Sequence, residues 1–362
     1  MSKPAVAGPV PEPAPPSTNV ALAPHTTLRL GGPAERLVEA TSADEVVAAV
    51  RAAEAVGEPV LVLGGGSNLV VADEGVHGTV VRVATSGHHV ERRPDGSVRL
   101  TVEAGEDWDT LVATTVAEGL GGLECLSGIP GSTGATPVQN VGAYGVEVSD
   151  LLVDVDLYDR RAGAVRTHVP AAELGLGYRR SVLKGRDDAI VLRVRLALRG
   201  DGVSAPIRYP ELARALGVEP GDTVPAPVAR EAVLGLRRGK GMVLDAADHD
   251  TWSAGSFFTN PFLTPEQAAA LPDDAPRWKQ PDGRVKSSAA WLIERAGFGK
   301  GHGLDVRGGR ASLSTKHTLA LTNRGGASTE DLLALAREVR DGVEAAYGVR
   351  LVNEPVLVGC EL

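Results

Sequence analysis

Leu332, Leu335, Val339 and Val343 recur at helical spacing between a capping Ser328, with Asp331 three residues on, and a terminating Gly348. They predict an amphipathic helix near the end of the chain. A second helix is predicted over 43–56, where Ser42 caps, Glu45 takes the third helical position, and Gly57 and Pro59 stop the run. Short apolar runs at 60–63, 79–83, 98–102, 151–158, 165–169 and 189–198 read as strands, with strand character again at 319–322 and 349–358. Helices are expected near 108–118, 228–238 and 287–296. Strands with helices between them make the fold class α+β. The polar, Pro-rich stretch 200–227 reads as a connection. It divides the chain into a domain over 21–205 and a smaller one over 206–348, with the terminal strand 349–362 returning to the first. Residues 1–20, mostly Pro, Ala and Val without periodicity, read as a disordered leader.

Composition narrows what such a chain binds. At 362 residues it is long enough for two or three domains, and 43% hydrophobic with 23% charged residues is ordinary for a globular protein. The net charge of -9 argues against general affinity for nucleic acid or an anionic membrane. Any phosphate must therefore be held locally. The two cysteines, Cys125 and Cys360, form no CxxC pair, so they suggest neither a disulfide framework nor a zinc site. Without a long apolar run or a secretory start, the expectation is a soluble cytoplasmic protein that holds no metal.

Two glycine clusters carry the chemistry. Residues 126–145, LSGIPGSTGATPVQNVGAYG, contain five glycines and no Asp, Glu, Lys or Arg. Glycine lets backbone N–H groups approach a ligand, and converging N–H groups bind phosphate without a basic side chain. A tightly turned structural loop is the plain alternative. The second cluster, Gly64, Gly65 and Gly66 followed by Ser67 and Asn68, lies directly after the strand at 60–63. It fails the G-x-G-x-x-G fingerprint because Leu69 stands at the third glycine position, and no Walker sequence occurs anywhere. Two uncharged glycine nests suit an elongated diphosphate ligand clasped from two sides. Flavin adenine dinucleotide (FAD) is such a ligand.

LGGGSNLVVAD (63–73), the loop 126–145, GYRRSVLK (177–184), AGSFFTNP (254–261), STKHTLALTN (314–323) and NEPVLVG (353–359) together resemble the UDP-N-acetylenolpyruvoylglucosamine reductase family. The resemblance runs over 25–359. It implies a two-part flavin-binding domain of the p-cresol methylhydroxylase/vanillyl-alcohol oxidase type and a smaller α+β substrate domain. It further implies a reductase taking hydride from NADPH through FAD to UDP-N-acetylglucosamine enolpyruvate. Ser67 and Asn68 stand where many oxidases of that superfamily carry a flavin-tethering histidine, so the FAD is expected to be noncovalent. The expected cofactor contacts are Gly64 to Asn68 in the first loop. In the second they are Gly131, Ser132, Gly134, Ala135, Gln139, Asn140, Gly142, Ala143, Tyr144 and Gly145.

By the same resemblance Ser256 is the proton donor, Arg179 the arginine that stabilises the developing enolate, and Glu354 the catalytic glutamate. Guanidinium suits its task because it stays protonated and offers a planar fork to a carboxylate. Tyr178, Tyr209, Lys240, Asn260 and His317 match substrate-site positions, Lys240 at the diphosphate and Tyr209 on a closing loop. Arg180 is adjacent to Arg179, and only the family register separates them. Two other classes compete: an oxidase of a small alcohol or hydroxy acid, and a noncatalytic nucleotide sensor.

Overall fold

The computed structural model describes residues 14–280 and 282–362. Its elements begin with β1 (Ser17–Ala21), β2 (Pro33–Ala40), α1 (Ala43–Ala55), β3 (Val60–Leu63), β4 (Leu69–Val71), β5 (Val76–Val83), β6 (His88–Arg92) and β7 (Ser97–Glu103). Then come α2 (Trp108–Ala117), β8 (Gly142–Ala143), β9 (Val146–Glu147), β10 (Leu152–Asp159), β11 (Ala164–Pro170), β12 (Ala189–Arg199), α3 (Pro210–Leu216) and α4 (Ala226–Gly239). The rest of the chain gives β13 (Phe262–Leu263), α5 (Pro265–Ala270), β14 (Trp278–Lys279), β15 (Val285–Lys286), α6 (Ala289–Arg295), β16 (Ala311–Leu313), β17 (Leu321–Asn323), α7 (Thr329–Tyr347) and β18 (Val356–Val358). The class is α+β.

Two compact units share these elements. The first takes the described residues up to Val20, then Ala34–Gly65 and His77–Leu236; the second takes Ala21–Pro33, Gly66–Val76 and Arg237–Leu362. The units interleave along the chain, whereas the sequence reading gives continuous domains over 21–205 and 206–348, with 349–362 returning to the first.

In the first unit, one sheet runs β1-β2-β5-β3 and another runs β11-β10-β12-β7-β6. The second of these explains how charge is carried in a half-buried sheet. Along β12, Val194, Leu196 and Leu198 are buried in the core, while Arg193 and Arg195 alternate with them on the other face. Arg195 faces Asp154 across the ladder, and Arg193 faces Asp156 on one side and Glu103 on the other. The Arg195 guanidinium donates to Asp154 at 2.6 Å and to Asp156 at 2.8 and 2.9 Å. Burial opposes ionisation of Asp156, but the Arg195 hydrogen bonds, the His168 N–H and the charges of both arginines outweigh it and hold that carboxyl below its usual range. A buried charge is tolerable only when paired in this way.

The second unit has its own core around Phe257, Phe258, Leu292, Leu332 and Val339. It contains a three-stranded sheet, β13-β15-β14, and the pairs β16-β17 and β18-β4. Of the strand expected over 349–358, only Val356–Val358 forms, pairing parallel with β4. Pro355 has no N–H to give a ladder, and the Val356 N–H makes the first contact, to the Asn68 carbonyl at 2.9 Å.

Two further sequence expectations change. Residues 1–13 of the leader lie outside the described residues, but Ser17–Ala21 is strand β1, joined to β2. Its side chains are almost all exposed, so backbone pairing holds it and no apolar period marks it. The connection 200–227 contains α3, whose Pro210 occupies the first helical turn, where a missing N–H costs nothing, and whose end is Gly217 in the left-handed region. Cys125 is fully buried, its thiol pushed up to about 12 by burial and then by the Glu124 charge, while Cys360 is only partly buried.

Helix α7 supplies a pH test. Ser328 and Asp331 form a reciprocal capping box, and Arg310 grips the Asp331 carboxylate at 2.7 and 2.9 Å. These Arg310 hydrogen bonds, against the opposing effect of burial, lower the Asp331 pKa to about 2. A depressed carboxylate contributes stability above its unfolded pKa of about 4, and loses that contribution as pH falls toward the folded value. Asp331→Asn should therefore lower the melting temperature near neutral pH, with the gap to the parent narrowing below about pH 4. A gap that stays constant on acidification would show that the carboxylate's charge plays no part.

Candidate active site

The loop 126–145 is fixed from its first residue by the start of α2. Asp107 caps that helix by accepting the Thr110 N–H at 2.9 Å. The fully buried Trp108 donates its indole N–H to the Leu126 carbonyl at 3.1 Å and its backbone N–H to the Gly131 carbonyl at 3.0 Å. Asp109 accepts the Gly128 N–H at 2.6 Å and is gripped by both arms of Arg230 at 2.6 and 3.0 Å. Further along, the Gly134 N–H reaches the Ala104 carbonyl at 2.7 Å. Sequence reading did not single out Trp108, Asp109 or Arg230. An Asp-Trp-Asp helix start just upstream of a glycine loop was the available signal for the first two.

Within this unit the two glycine clusters meet. A Cβ on Gly65 would lie 2.5 Å from the Gly131 Cα, and one on Gly64 would collide with the Ser132 hydroxyl. Only glycine permits that approach. Among the described residues, the N–H groups of Gly64, Gly65, Gly131 and Ser132 make no backbone hydrogen bond. Four uncommitted donors in two abutting glycine-lined segments are what a diphosphate requires. Gly134 has a different task, since its Cβ would lie 2.5 Å from that of Ala104. Ala135 is exposed and Gln139 half-buried.

The end of the loop is a hairpin. Gly142 and Ala143 in β8 pair with Glu147 and Val146 in β9, and Tyr144 (φ 50°) and Gly145 (φ 83°) make the two-residue turn. Two left-handed residues give the turn whose twist matches the strands. The Tyr144 ring packs edge-on against Tyr209 at 5.4 Å. Tyr209 precedes α3 and is 41% exposed.

Arg179 reaches this hairpin. Residues 177–180 form a tight turn in which Gly177 and Arg180 exchange N–H to carbonyl bonds of 3.0 Å. Arg179, at φ 51°, donates to the Gly142 carbonyl at 2.8 Å and the Asn140 carbonyl at 3.4 Å, with its guanidinium 5.3 Å from the Tyr178 ring centre. Arg180 is exposed. The two neighbours therefore point to different surroundings.

In the second unit, backbone pairing joins Glu354 to Phe257, the residue after Ser256. The Phe257 N–H donates to the Leu319 carbonyl at 2.7 Å, and the Phe257 carbonyl accepts the Glu354 N–H at 2.8 Å. Phe258 bridges Asn353, and the rings of Phe257 and Phe258, both buried, pack edge-on at 5.1 Å. Ser256 thus precedes a segment clamped on two sides. The Asn68 amide donates to the Glu354 carbonyl at 3.4 Å. Gly66, at φ 60°, lies against the His25 backbone, leaving no room for a Cβ, and Ser67 is half-buried.

The other expected residues of this unit are Asn260, His317 and Lys240. The Asn260 side-chain oxygen accepts the Ala289 N–H at 2.9 Å, at the start of α6. His317 lies in a turn whose Ser314 hydroxyl accepts the Lys316 and His317 N–H groups at 3.0 and 3.3 Å. Asp250, buried, anchors that turn by accepting the Thr315 N–H at 2.8 Å. Lys240 follows directly on α4. No group of His, Cys, Asp and Glu among the described residues could hold a metal ion, and no described helix is long and apolar enough to cross a membrane.

The FAD binding domain family matches residues 34–168, and the UDP-N-acetylenolpyruvoylglucosamine reductase C-terminal domain family matches residues 247–358. The UDP-N-acetylenolpyruvoylglucosamine reductase of Saccharopolyspora erythraea is 65% identical over 96% of this chain and 97% of its own length. That of Streptomyces avermitilis is 58% identical over 94% of each chain. The crystal structure of the reductase from Thermus caldophilus superposes with a TM-score of 0.63 at 29% identity, over 94% of this chain and 97% of that one. With a bacterial relative at this identity aligned over nearly its whole length, the chain belongs to the UDP-N-acetylenolpyruvoylglucosamine reductase family.

Proposed function

We propose that this protein reduces the enolpyruvyl ether of UDP-N-acetylglucosamine enolpyruvate to UDP-N-acetylmuramate, a peptidoglycan precursor, using noncovalent FAD and NADPH. The observation that carries the reading is that Phe257 and Phe258, directly after Ser256, pair with Glu354 and Asn353 through the backbone, in a chain that also presents uncommitted glycine N–H groups. Those N–H groups, at Gly64, Gly65, Gly131 and Ser132, hold the FAD diphosphate. Bound FAD supplies the hydride transfer, from the nicotinamide to the vinyl carbon.

The chain's own residues manage charge and proton. As the vinyl carbon gains a hydride, negative charge moves toward the substrate carboxylate, and Arg179 stabilises it with a group that stays protonated. Ser256 then gives a proton to the adjacent carbon, and the double bond is saturated. Its hydroxyl is a weak acid in water, so the serine must act where its anion is stabilised. Glu354, whose N–H is bonded to the carbonyl of the next residue, Phe257, is assigned to orient it. Lys240 serves the substrate diphosphate, with Tyr178, Tyr209, Asn260 and His317 as further substrate contacts. Cofactor binding is assigned to the sequence domain 21–205 and substrate binding to 206–348. UDP-sugars and NADPH are cytoplasmic molecules, and the protein works there, apart from nucleic acid and membrane.

Purified protein should be yellow and should consume NADPH only when the enolpyruvyl nucleotide is present. Turnover of small alcohols with none of that nucleotide would instead favour an oxidase. Ser256→Ala should leave reduction of the bound flavin by NADPH intact while slowing reoxidation by substrate by roughly 10²- to 10⁴-fold. An equal loss in both half-reactions, followed by stopped-flow absorbance, would remove the proton-donor role. Gly65→Ala should weaken FAD retention about 10-fold or more, because overpacking of this kind costs about 1–3 kcal/mol. Unchanged flavin content after extensive dialysis would count against the diphosphate site.

A further inference from the structure

Asn140, expected among the cofactor contacts, has no side-chain donor left for a ligand. It is fully buried, and its amide nitrogen donates to the Glu147 carboxylate at 2.8 Å and to the Gly177 carbonyl at 3.1 Å. Its side-chain oxygen accepts the Ser149 N–H at 2.9 Å. A primary amide has two N–H bonds, and both are used. Its backbone carbonyl in turn accepts one arm of Arg179.

These contacts enclose Arg179. Gly177 belongs to the turn that carries the arginine, and Glu147 pairs with Gly142, whose carbonyl takes the other guanidinium arm. One carboxamide thus ties the turn bearing Arg179 to the hairpin receiving it. The backbone reflects the demand: Asn140 and Arg179 both sit in the left-handed region, at φ 47° and 51°. Asn is among the residues that tolerate this conformation, and its amide suits neighbours that are both acceptors.

We propose that Asn140 is the positioning residue for Arg179, fixing the guanidinium fork before substrate arrives, and that it does not contact the cofactor. The proposal rests on the reductase reading above. Aspartate has the same shape but accepts where the amide donates, so Asn140→Asp replaces two attractions by repulsion from Glu147 and from the Gly177 carbonyl.

The test uses holoenzyme with NADPH and the enolpyruvyl nucleotide. Asn140→Asp should retain FAD at the parent ratio and be reduced by NADPH at the parent rate. Its reoxidation by substrate should slow on the order of 100-fold, the scale of a displaced catalytic group. Adding Asn140→Asp to Arg179→Lys should cost far less than it does alone, since residues acting as a unit are non-additive. Glu147→Gln in the Asn140→Asp background offers an amide donor back to the new carboxylate and should restore part of the lost rate. Arg180→Ala, on the exposed neighbour, should stay within about twofold of the parent. Loss of FAD from Asn140→Asp would make Asn140 a cofactor residue and overturn the proposal. So would an equal loss in both half-reactions, or additivity with Arg179→Lys. Failure of the parent enzyme to turn over would sink the reductase reading itself, which separates the two claims.

Discussion

Helix α2 and the glycine loop it holds are the constraint on which the first unit depends. Trp108 spends both of its N–H groups on carbonyls of residues 126 and 131, and Asp109 takes the Gly128 N–H while pairing with Arg230. Each contact with the loop is to its backbone, so these contacts set its course without using its side chains. Capping and anchoring share one helical turn: Asp107 serves the helix, and the next two residues serve the loop. The Arg230 fork adds geometric definition, because a bidentate pair fixes orientation as well as distance.

Once the loop is fixed at that end, close packing does the rest. Gly131 abuts Gly65 so closely that a methyl group on the latter cannot fit, and the donors left over are those of three glycines and Ser132. Such donors need nothing charged to receive a diphosphate, so the net charge of -9 would be no obstacle to the proposed site. Elsewhere in the unit, charge is buried only in closed sets such as Arg195 with Asp154 and Asp156. Glu124 follows the same rule: wholly buried, it accepts the Gly122 and Ala205 N–H groups at 2.6 Å each.

Sequence periodicity and caps located most long elements, because their signals are local. Ser42 and Ser328 cap α1 and α7, Gly348 ends α7, and the apolar run at 60–63 is β3. What was not legible depends on partners distant in the chain. Strand β1 has exposed side chains and is recognised only through β2; β18 is cut short by Pro355 and completed by β4. At the site, the glycine clusters were visible as composition, but not that Gly65 abuts Gly131. Glu147 carried no signal at all, since its role arises from a hairpin register that brings it to Asn140.

The adjacent arginines show why such information is three-dimensional. Arg179 and Arg180 have the same chemistry and neighbouring positions, yet the Gly177–Arg180 turn, closed by two reciprocal hydrogen bonds, sends the first to the Gly142 carbonyl and leaves the second in solvent. The separation requires a left-handed arginine, a conformation that costs on the order of 1–3 kcal/mol and persists only where the surroundings over-determine it. Asn140 and Tyr144 adopt the same conformation within a few residues. Three such residues in one neighbourhood mean that packing and hydrogen bonds elsewhere hold this segment against its local preference. In the proposed role, the Arg179 guanidinium would meet charge appearing only during reaction and would gain from being held in this way, because any reorientation at that moment would add to the barrier.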